Sequence, residues 1–373
     1  MSLHNDRLTR LRARMTETAT DLVALGPTSH MAWLSGADPH GDERPVMLLV
    51  SQTHAGFLMP ALNANSVRQA TDLPFETWTD DAGPAEALAR LLARCDATGL
   101  GLSVALDEAM RADFALLLLD AMDAPERRFS GQTLGHLRAM KDAAELDALR
   151  RCARLNDAAA AAGFAALKVG VSERDIAAVI EAHYKAHGAK PEFIIVGFGA
   201  NGAYPHHHTG DTALEENMAV LIDTGCRIGG YPSDMTRCAW FGDAPSTEFL
   251  KVAAVVEQAV QAALAAVRPG VPARDIDAAA RNVIAAAGYG EQFVHRTGHG
   301  LGIDVHEPPY ITATSHVALQ AGNVFSIEPG IYLPGRFGVR LEEVVVTTPT
   351  GAEILSALAR TVRPAAGSVA QIG

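Results

Sequence analysis

Cysteine is scarce in this chain. Cys95, Cys152, Cys226 and Cys238 are the four among 373 residues, and no two of them form a CxxC pair. That spacing supplies neither a disulfide framework nor a thiolate metal site, and it fits buried free thiols in a reducing compartment. Long hydrophobic runs are missing as well. The longest aliphatic stretch, residues 115–119, is far short of the roughly 20 residues a membrane helix needs. The opening MSLHNDRLTRLRARMTETA breaks with charge the apolar stretch that a signal peptide requires. The expectation is a soluble, cytoplasmic protein. Basic residues never gather into a stripe: Lys and Arg number 31 against 43 Asp and Glu, a formal net charge of −12 at pH 7. The electrostatic footprint of a nucleic-acid binder is therefore missing, and the expected partners include neither nucleic acid nor membrane. Part of the acidic excess is free to serve a cation.

What is present is ordinary globular material, 48% hydrophobic and 20% charged, in a chain longer than the roughly 250–300 residues at which a single core stops growing. Two domains are expected. Residues 1–132 alternate short apolar runs (DLVAL, PVMLLV, GFLMP, LSVAL) with helical patterns such as PAEALARLLARC, which reads as a small α/β domain. A glycine-containing break at 130–135 precedes the helical pattern MKDAAELDALRRCARLNDAAAAAGFAAL, so the second domain is placed at 133–373.

The second part repeats itself. Gly170-Val171-Ser-Glu-Arg174-Asp175-Ile176 returns 100 residues later as Gly270-Val271-Pro-Ala-Arg274-Asp275-Ile276. Each copy runs from a helix pattern through a His-containing loop, with His206 in one and His306 in the other, to two strand-like runs. The economical reading is a duplicated helix-plus-hairpin unit.

Each hairpin carries acids where apolar runs end. Asp223 closes AVLID, and Asp234 follows across the turn GCRIGGYPS. Glu328 closes VFSIE, and Glu342 follows across LPGRFG. A turn at Ile228-Gly229 sets Asp223 directly opposite Asp234; a turn at Gly229-Gly230 makes them diagonal neighbours on one face. Glu328 and Glu342 are symmetric about Gly335. If the repeats face each other, four carboxylates meet, and that much like charge in a partly buried site needs protons or cations to be tolerable. The segment VHRTGHGLGIDVHEPP adds His295, His299 and His306, and His299 among its glycines is placed to supply a nitrogen ligand. Four oxygen donors and an imidazole suit manganese, cobalt or zinc. A pair of such cations, bridged by hydroxide, is the machinery of a hydrolase.

These motifs resemble a known family. LIDTGC with DMTR, then HRTGHGLGIDVHEPP, then SIEPGIYLPGRFGVRLEE are similar to the pita-bread-fold metallopeptidases, in the branch of Xaa-Pro dipeptidases (prolidases), Xaa-Pro aminopeptidases and creatinase. The likeness extends over nearly the whole chain. It implies an α/β (α+β) protein: a small N-terminal α/β domain followed by a pseudo-twofold pita-bread catalytic domain. The implied metal ligands are Asp223, Asp234, His299, Glu328 and Glu342, with Glu343 beside them and not a ligand. His206, His295 and His306 fall at active-site positions beside the substrate, and Arg340 falls at the arginine before the last ligand, to hold a substrate carboxylate or to orient Glu342. The implied reaction is attack of the bridging hydroxide on an Xaa-Pro bond of a dipeptide or short peptide, with Glu328 taking and returning the proton. The resemblance also implies a homodimer. Here the family's Pro-His pair is extended to His206-His207-His208.

Other signals carry less. GFGANG is a literal GxGxxG after an apolar run, but AYPHHHTGD follows it with Pro205 and no helical pattern, so it reads as a loop letting backbone approach substrate. His183 and His187 in HYKAH lack an HExxH glutamate and read as a helix face. The competing functions are a metal-dependent C–N hydrolase or lyase for a small non-peptide solute, and a non-catalytic binding module, which the complete ligand set disfavours.

Overall fold

The structure, a computed structural model, describes residues 3–365 and 368–371. The chain divides into two compact units, Met1–Arg138 and Ala139–Gly373. The sequence expectation put the break at residue 132. There the chain makes a short 3-10 turn, Ser130–Gln132, and goes straight on into another helix, Leu134–Ala139, which straddles the division.

In the first unit a six-stranded mixed sheet runs in the order β4-β3-β2-β1-β5-β6, with β1 Leu22–Leu25, β2 Met47–Val50, β3 Ala55–Pro60, β4 Phe75–Trp78, β5 Ser103–Leu106 and β6 Glu126–Phe129. The four apolar runs read from the sequence are β1, β2, β3 and β5, and they are buried along their whole length. The two outer strands carry less apolar surface; β6 is exposed at every position and its charges guard the edge. Helices α1 Leu3–Glu17, α2 Ser29–Ser35, α3 Ala61–Val67, α4 Ala85–Arg94, α5 Ala112–Asp120 and α6 Leu134–Ala139 accompany the sheet. Leu88, Leu91 and Leu92 of α4, at helical spacing, pack into the core with Leu22, Leu49 and Leu58 of the sheet.

In the second unit the repeat becomes visible as structure. Helices α7 (Ala143–Ala165) and α8 (Glu173–Ala186) lead into β7 (Lys190–Phe198), β8 (Met218–Ile228), β9 (Tyr231–Pro232) and β10 (Met235–Phe241). Helices α9 (Thr247–Ala266) and α10 (Ala273–Ala286) lead into β11 (Gly298–Gly300), β12 (Glu307–Ile311), β13 (Val324–Ile327), β14 (Gly330–Leu333), β15 (Phe337–Arg340), β16 (Glu343–Thr348) and β17 (Gly351–Ile354); β18 (Thr361–Ala365) and β19 (Ser368–Gln371) then return to the first sheet beside β10. Capping boxes start α7, between Asp142 and Glu145, and α8, between Ser172 and Asp175. Equivalent backbone bonds tie each copy: Gly170 N to Leu214 O and Gly270 N to Leu319 O, both 2.8 Å, then Arg174 N to Gly210 O and Arg274 N to Ser315 O, both 3.0 Å. By length and composition α9 is apolar enough to cross a membrane, yet Phe249, Val252, Val256, Ala259, Val260 and Ala263 are buried in the core against the sheets. All four cysteines are buried free thiols, with Cys152 and Cys226 Sγ atoms 3.6 Å apart.

Candidate metal centre

In the first hairpin Ile228 pairs with Tyr231, so the turn is Gly229-Gly230. Their φ values, +59° and +87°, are the left-handed pair that a tight two-residue hairpin demands. In that register Asp223 faces Thr236, and Asp234 becomes its diagonal neighbour, the second of the two arrangements open from sequence. In the second hairpin Val324 faces Val346, Ile327 faces Glu343 and Gly330 faces Arg340. One register runs through both strand pairs, which places Glu328 directly across from Glu342. The two hairpins are stitched together where Glu342 N donates to Thr236 O at 3.2 Å.

His299 sits at the middle of β11, whose Gly300 pairs with Phe325 of β13. The glycine-rich segment forms this short strand because only glycine fits: a Cβ on Gly298 would lie 1.8 Å from Ser326 O. His299 Nδ1 donates to Gly300 O at 3.2 Å, leaving Nε2 as a lone-pair donor 3.5 Å from Asp234 Oδ2 and 3.3 Å from Glu328 Oε1.

Two overlapping groups, Asp223-Asp234-Glu342 and His299-Glu328-Glu342, each have donor atoms within 4.8 Å of one another, and His306 forms a third with Asp234 and His299. Among the described residues the buried cation that bonds a carboxylate of the cluster is Arg340, whose Nη2 donates to Asp223 Oδ2 at 2.5 Å. Four carboxylates against one guanidinium leave the site over-negative. Burial, and then the neighbouring Glu342, Asp223 and Glu328, push Asp234 far above the ordinary carboxylate range. Burial, with Glu328 and Asp223, does the same to Glu342. Burial and Asp223 raise Glu328 to about 7. Burial lowers His299 to about 3, which keeps its Nε2 unprotonated. Asp223 Oδ1 is buried with no hydrogen-bond partner, an uncompensated acceptor aimed into the cluster. Oxygen donors held this close, whose ionised forms burial and mutual repulsion make unfavourable, fit divalent cations.

The cluster lines a cavity of about 1070 Å³, with His206, His295, His306 and Arg340 on its walls. His295 is held rather than free: Nδ1 donates to Arg296 O at 2.7 Å, and Nε2 accepts from the Tyr332 hydroxyl at 2.7 Å. Burial lowers its pKa to about 4, so the ring stays neutral. His306, exposed at the cavity, lies with its ring 3.9 Å from that of His299. His206 is exposed on the loop after β7.

Two open readings, those of Arg340 and His207, are narrowed by the contacts, and the reading of GFGANG departs from expectation. Arg340 is fully engaged by the chain: besides Asp223 it donates to Tyr332 Oη at 2.9 Å and to Thr236 Oγ1 at 2.9 Å, and Thr236 Oγ1 in turn donates to Glu342 Oε2 at 2.7 Å. It is linked to Glu342 through Thr236, and these bonds leave it no donor pair for a further carboxylate. The glycines of GFGANG serve backbone packing against β15, where a Cβ on Gly338 would lie 2.0 Å from Gly202 O. The extra His207 turns away from the metal cluster, its Nε2 donating to the buried Glu173 at 2.8 Å; the same carboxylate accepts from Phe198 N, Asn201 Nδ2 and Gly210 N and fastens the whole loop. Glu343 points away from the cluster into Arg237 and Arg360. His183 and His187 stack on each other along α8. Sequence reasoning missed Tyr332 and Thr236. The register symmetric about Gly335 could have found Tyr332, since it puts that residue on the face of Arg340.

The profile of the creatinase/prolidase N-terminal domain matches residues 7–139, and that of metallopeptidase family M24 matches residues 147–349. The probable dipeptidase PepE of Mycobacterium bovis is 36% identical over 353 residues, covering 93% of this chain and 92% of that protein. Among solved structures, dipeptidase PepE from Mycobacterium ulcerans superposes with a TM-score of 0.91 at 35% identity, covering 97% of this chain and 98% of that one. A recombinant prolidase from Thermococcus sibiricus gives 0.87 at 32%, covering 97% and 100%. With a paired-hairpin carboxylate cluster, a pita-bread fold and these likenesses over nearly its full length, the chain belongs to metallopeptidase family M24.

Proposed function

We propose that the chain hydrolyses the peptide bond before proline in dipeptides or short peptides, using two divalent cations held by Asp223, Asp234, His299, Glu328 and Glu342. The observation that carries this reading is the convergence of those five side chains, from two hairpins and β11, on one cavity. Bound there, such cations supply Lewis acidity toward the scissile carbonyl and a nucleophile drawn from water at neutral pH.

The chain's own groups supply the rest. Glu328, on the cavity wall with Oε1 3.3 Å from His299 Nε2, is the carboxylate placed to take a proton from the attacking water and return it to the departing nitrogen. That return matters for proline, whose tertiary amide leaves as an amine that must be protonated. Burial, with the Arg296 charge adding to it, lowers the pKa of His306. A neutral His306 can donate one ring N–H to the carbonyl oxygen as charge develops there. His295, clamped by Tyr332 and the Arg296 carbonyl, shapes the wall and leaves proton transfer to others. A proline bond offers no N–H to grip, so recognition falls to ring shape and to charges at the ends of the substrate.

The test is release of the N-terminal residue by chelated protein before and after re-addition of manganese, cobalt or zinc, with metal content measured alongside. Release from Xaa-Pro dipeptides or Xaa-Pro tripeptides at about two metals per chain is expected. No release from either, with metal bound, overturns the reading.

A further inference from the structure

Two arginines line the cavity, Arg296 and Arg340. Arg340 is consumed by Asp223, Tyr332 and Thr236. Arg296 is half-buried on the segment before β11, and among the described residues no carboxylate lies within ion-pair distance of its guanidinium and no acceptor takes its N–H groups. It lies over an aromatic face, the guanidinium carbon 4.8 Å from the centre of the Tyr310 ring on β12. The backbone that carries it is fixed on both sides. Arg281 donates to His295 O at 2.9 Å, His295 Nδ1 donates to Arg296 O at 2.7 Å, and Thr297 N donates to Ile311 O at 3.1 Å.

A guanidinium stacked on a ring keeps its in-plane N–H groups free, and those groups match a carboxylate bidentately. Every other charged side chain at the wall already has a partner in the chain or belongs to the metal cluster; Glu192, for example, pairs with Arg227 at 2.8 Å. The missing anion is therefore to be sought in the substrate. A two-residue peptide carries a free carboxylate one residue beyond the scissile carbonyl, whereas a longer peptide or a C-terminal amide has only a neutral amide there.

We infer that Arg296, seated on Tyr310, holds the C-terminal carboxylate of a two-residue substrate and so sets the enzyme as a dipeptidase. This rests on the peptidase reading above and adds the residue that measures substrate length.

The experiment compares kcat/KM of the manganese-loaded enzyme, wild type and Arg296→Met, on an Xaa-Pro dipeptide, its C-terminal amide, the Xaa-Pro-Xaa tripeptide and an Asp-Pro dipeptide. Removing a charge-assisted bond of this kind is worth about 10–100-fold. The wild type is expected to favour the free acid over the amide by about that factor, expressed mainly in KM, and R296M is expected to bring the ratio to about one. R296K, which keeps the charge without the planar fork, is expected to retain part of the ratio, and it serves as the test should R296M not fold. An acid-to-amide ratio unchanged in the variants, or an equal loss on both, overturns the inference. A loss confined to Asp-Pro also overturns it, because the arginine would then be reading a side chain. If the wild type releases the N-terminal residue from none of these peptides, the peptidase reading itself fails; release with an unaltered ratio sinks only the assignment of Arg296.

Discussion

Glu342 and Glu343 are neighbours with opposite tasks, and strand alternation is the reason. Glu342 faces the carboxylate cluster, positioned by the Thr236 hydroxyl; Glu343 faces the other way into the buried Arg237, which bonds both its oxygens at 3.1 and 3.2 Å, and into Arg360. Replacing each by glutamine separates the two. Glu342→Gln should leave the fold near wild-type stability while lowering bound metal and activity together, by 100-fold or more in kcat if the cluster is the reaction centre. Breaking a buried ion pair by removing one partner costs about 3–5 kcal/mol, so Glu343→Gln should appear first as a lower thermal midpoint, with metal content retained in whatever remains folded. Metal analysis and calorimetry on the same two proteins check both, and the reverse pattern would place the ligand on the wrong face. A milder change tests the clamp on His295. Tyr332→Phe deletes the hydroxyl that links Arg340 to the His295 ring. It should reduce kcat about 5–10-fold, the worth of about one such bond, without altering metal stoichiometry.

At the level of elements, what could be read in the sequence was whatever depends on short-range periodicity. The apolar runs of the first unit, the long helix α7 and both hairpins follow from spacing alone. The positions of the acids at the ends of AVLID and VFSIE followed too, because hairpin register is local once a turn is identified. The parts that were not legible are contacts between distant segments. Nothing near Glu173 announces that its carboxylate will fasten the loop carrying His206 and His207, and nothing in GFGANG shows that its backbone will lie against β15. That close approach is testable. A methyl group on Gly338 would meet Gly202 O at 2.0 Å, and overpacking a tight site costs about 1–3 kcal/mol. Gly338→Ala should therefore lower stability by that amount and displace the turn that leads to His206, raising KM for peptide more than it lowers kcat. Should steady-state kinetics show an unchanged KM, the loop after β7 plays no part in substrate binding.

For the whole molecule, the cluster couples stability to metal and to pH, and the sign can be worked out. Glu328 has a folded pKa near 7, and Asp234 and Glu342 are also raised. Without metal, the folded chain holds protons that the unfolded chain releases near pH 4. The contribution of these groups is full below the unfolded pKa and is lost as pH rises through the folded values. The lowered histidines act oppositely. His295 and His299, at about 4 and 3 when folded, contribute stability that is present above pH 6.5 and lost as pH falls. The two effects compete between about pH 4 and 6.5, and only the carboxylates still titrate above it. A cation that binds the ionised acids replaces the protons and removes their penalty, so affinity rises with pH. The gap in thermal midpoint between metal-loaded and chelated protein should therefore widen steadily from pH 6.5 to 8, at fixed free metal and ionic strength. The chelated protein itself should weaken over that interval, by about 1 kcal/mol for Glu328, or about 2–4 °C in a unit of this size. A gap that stays flat across the interval would mean that the acids do not share a metal site, and that the like charge is relieved in another way.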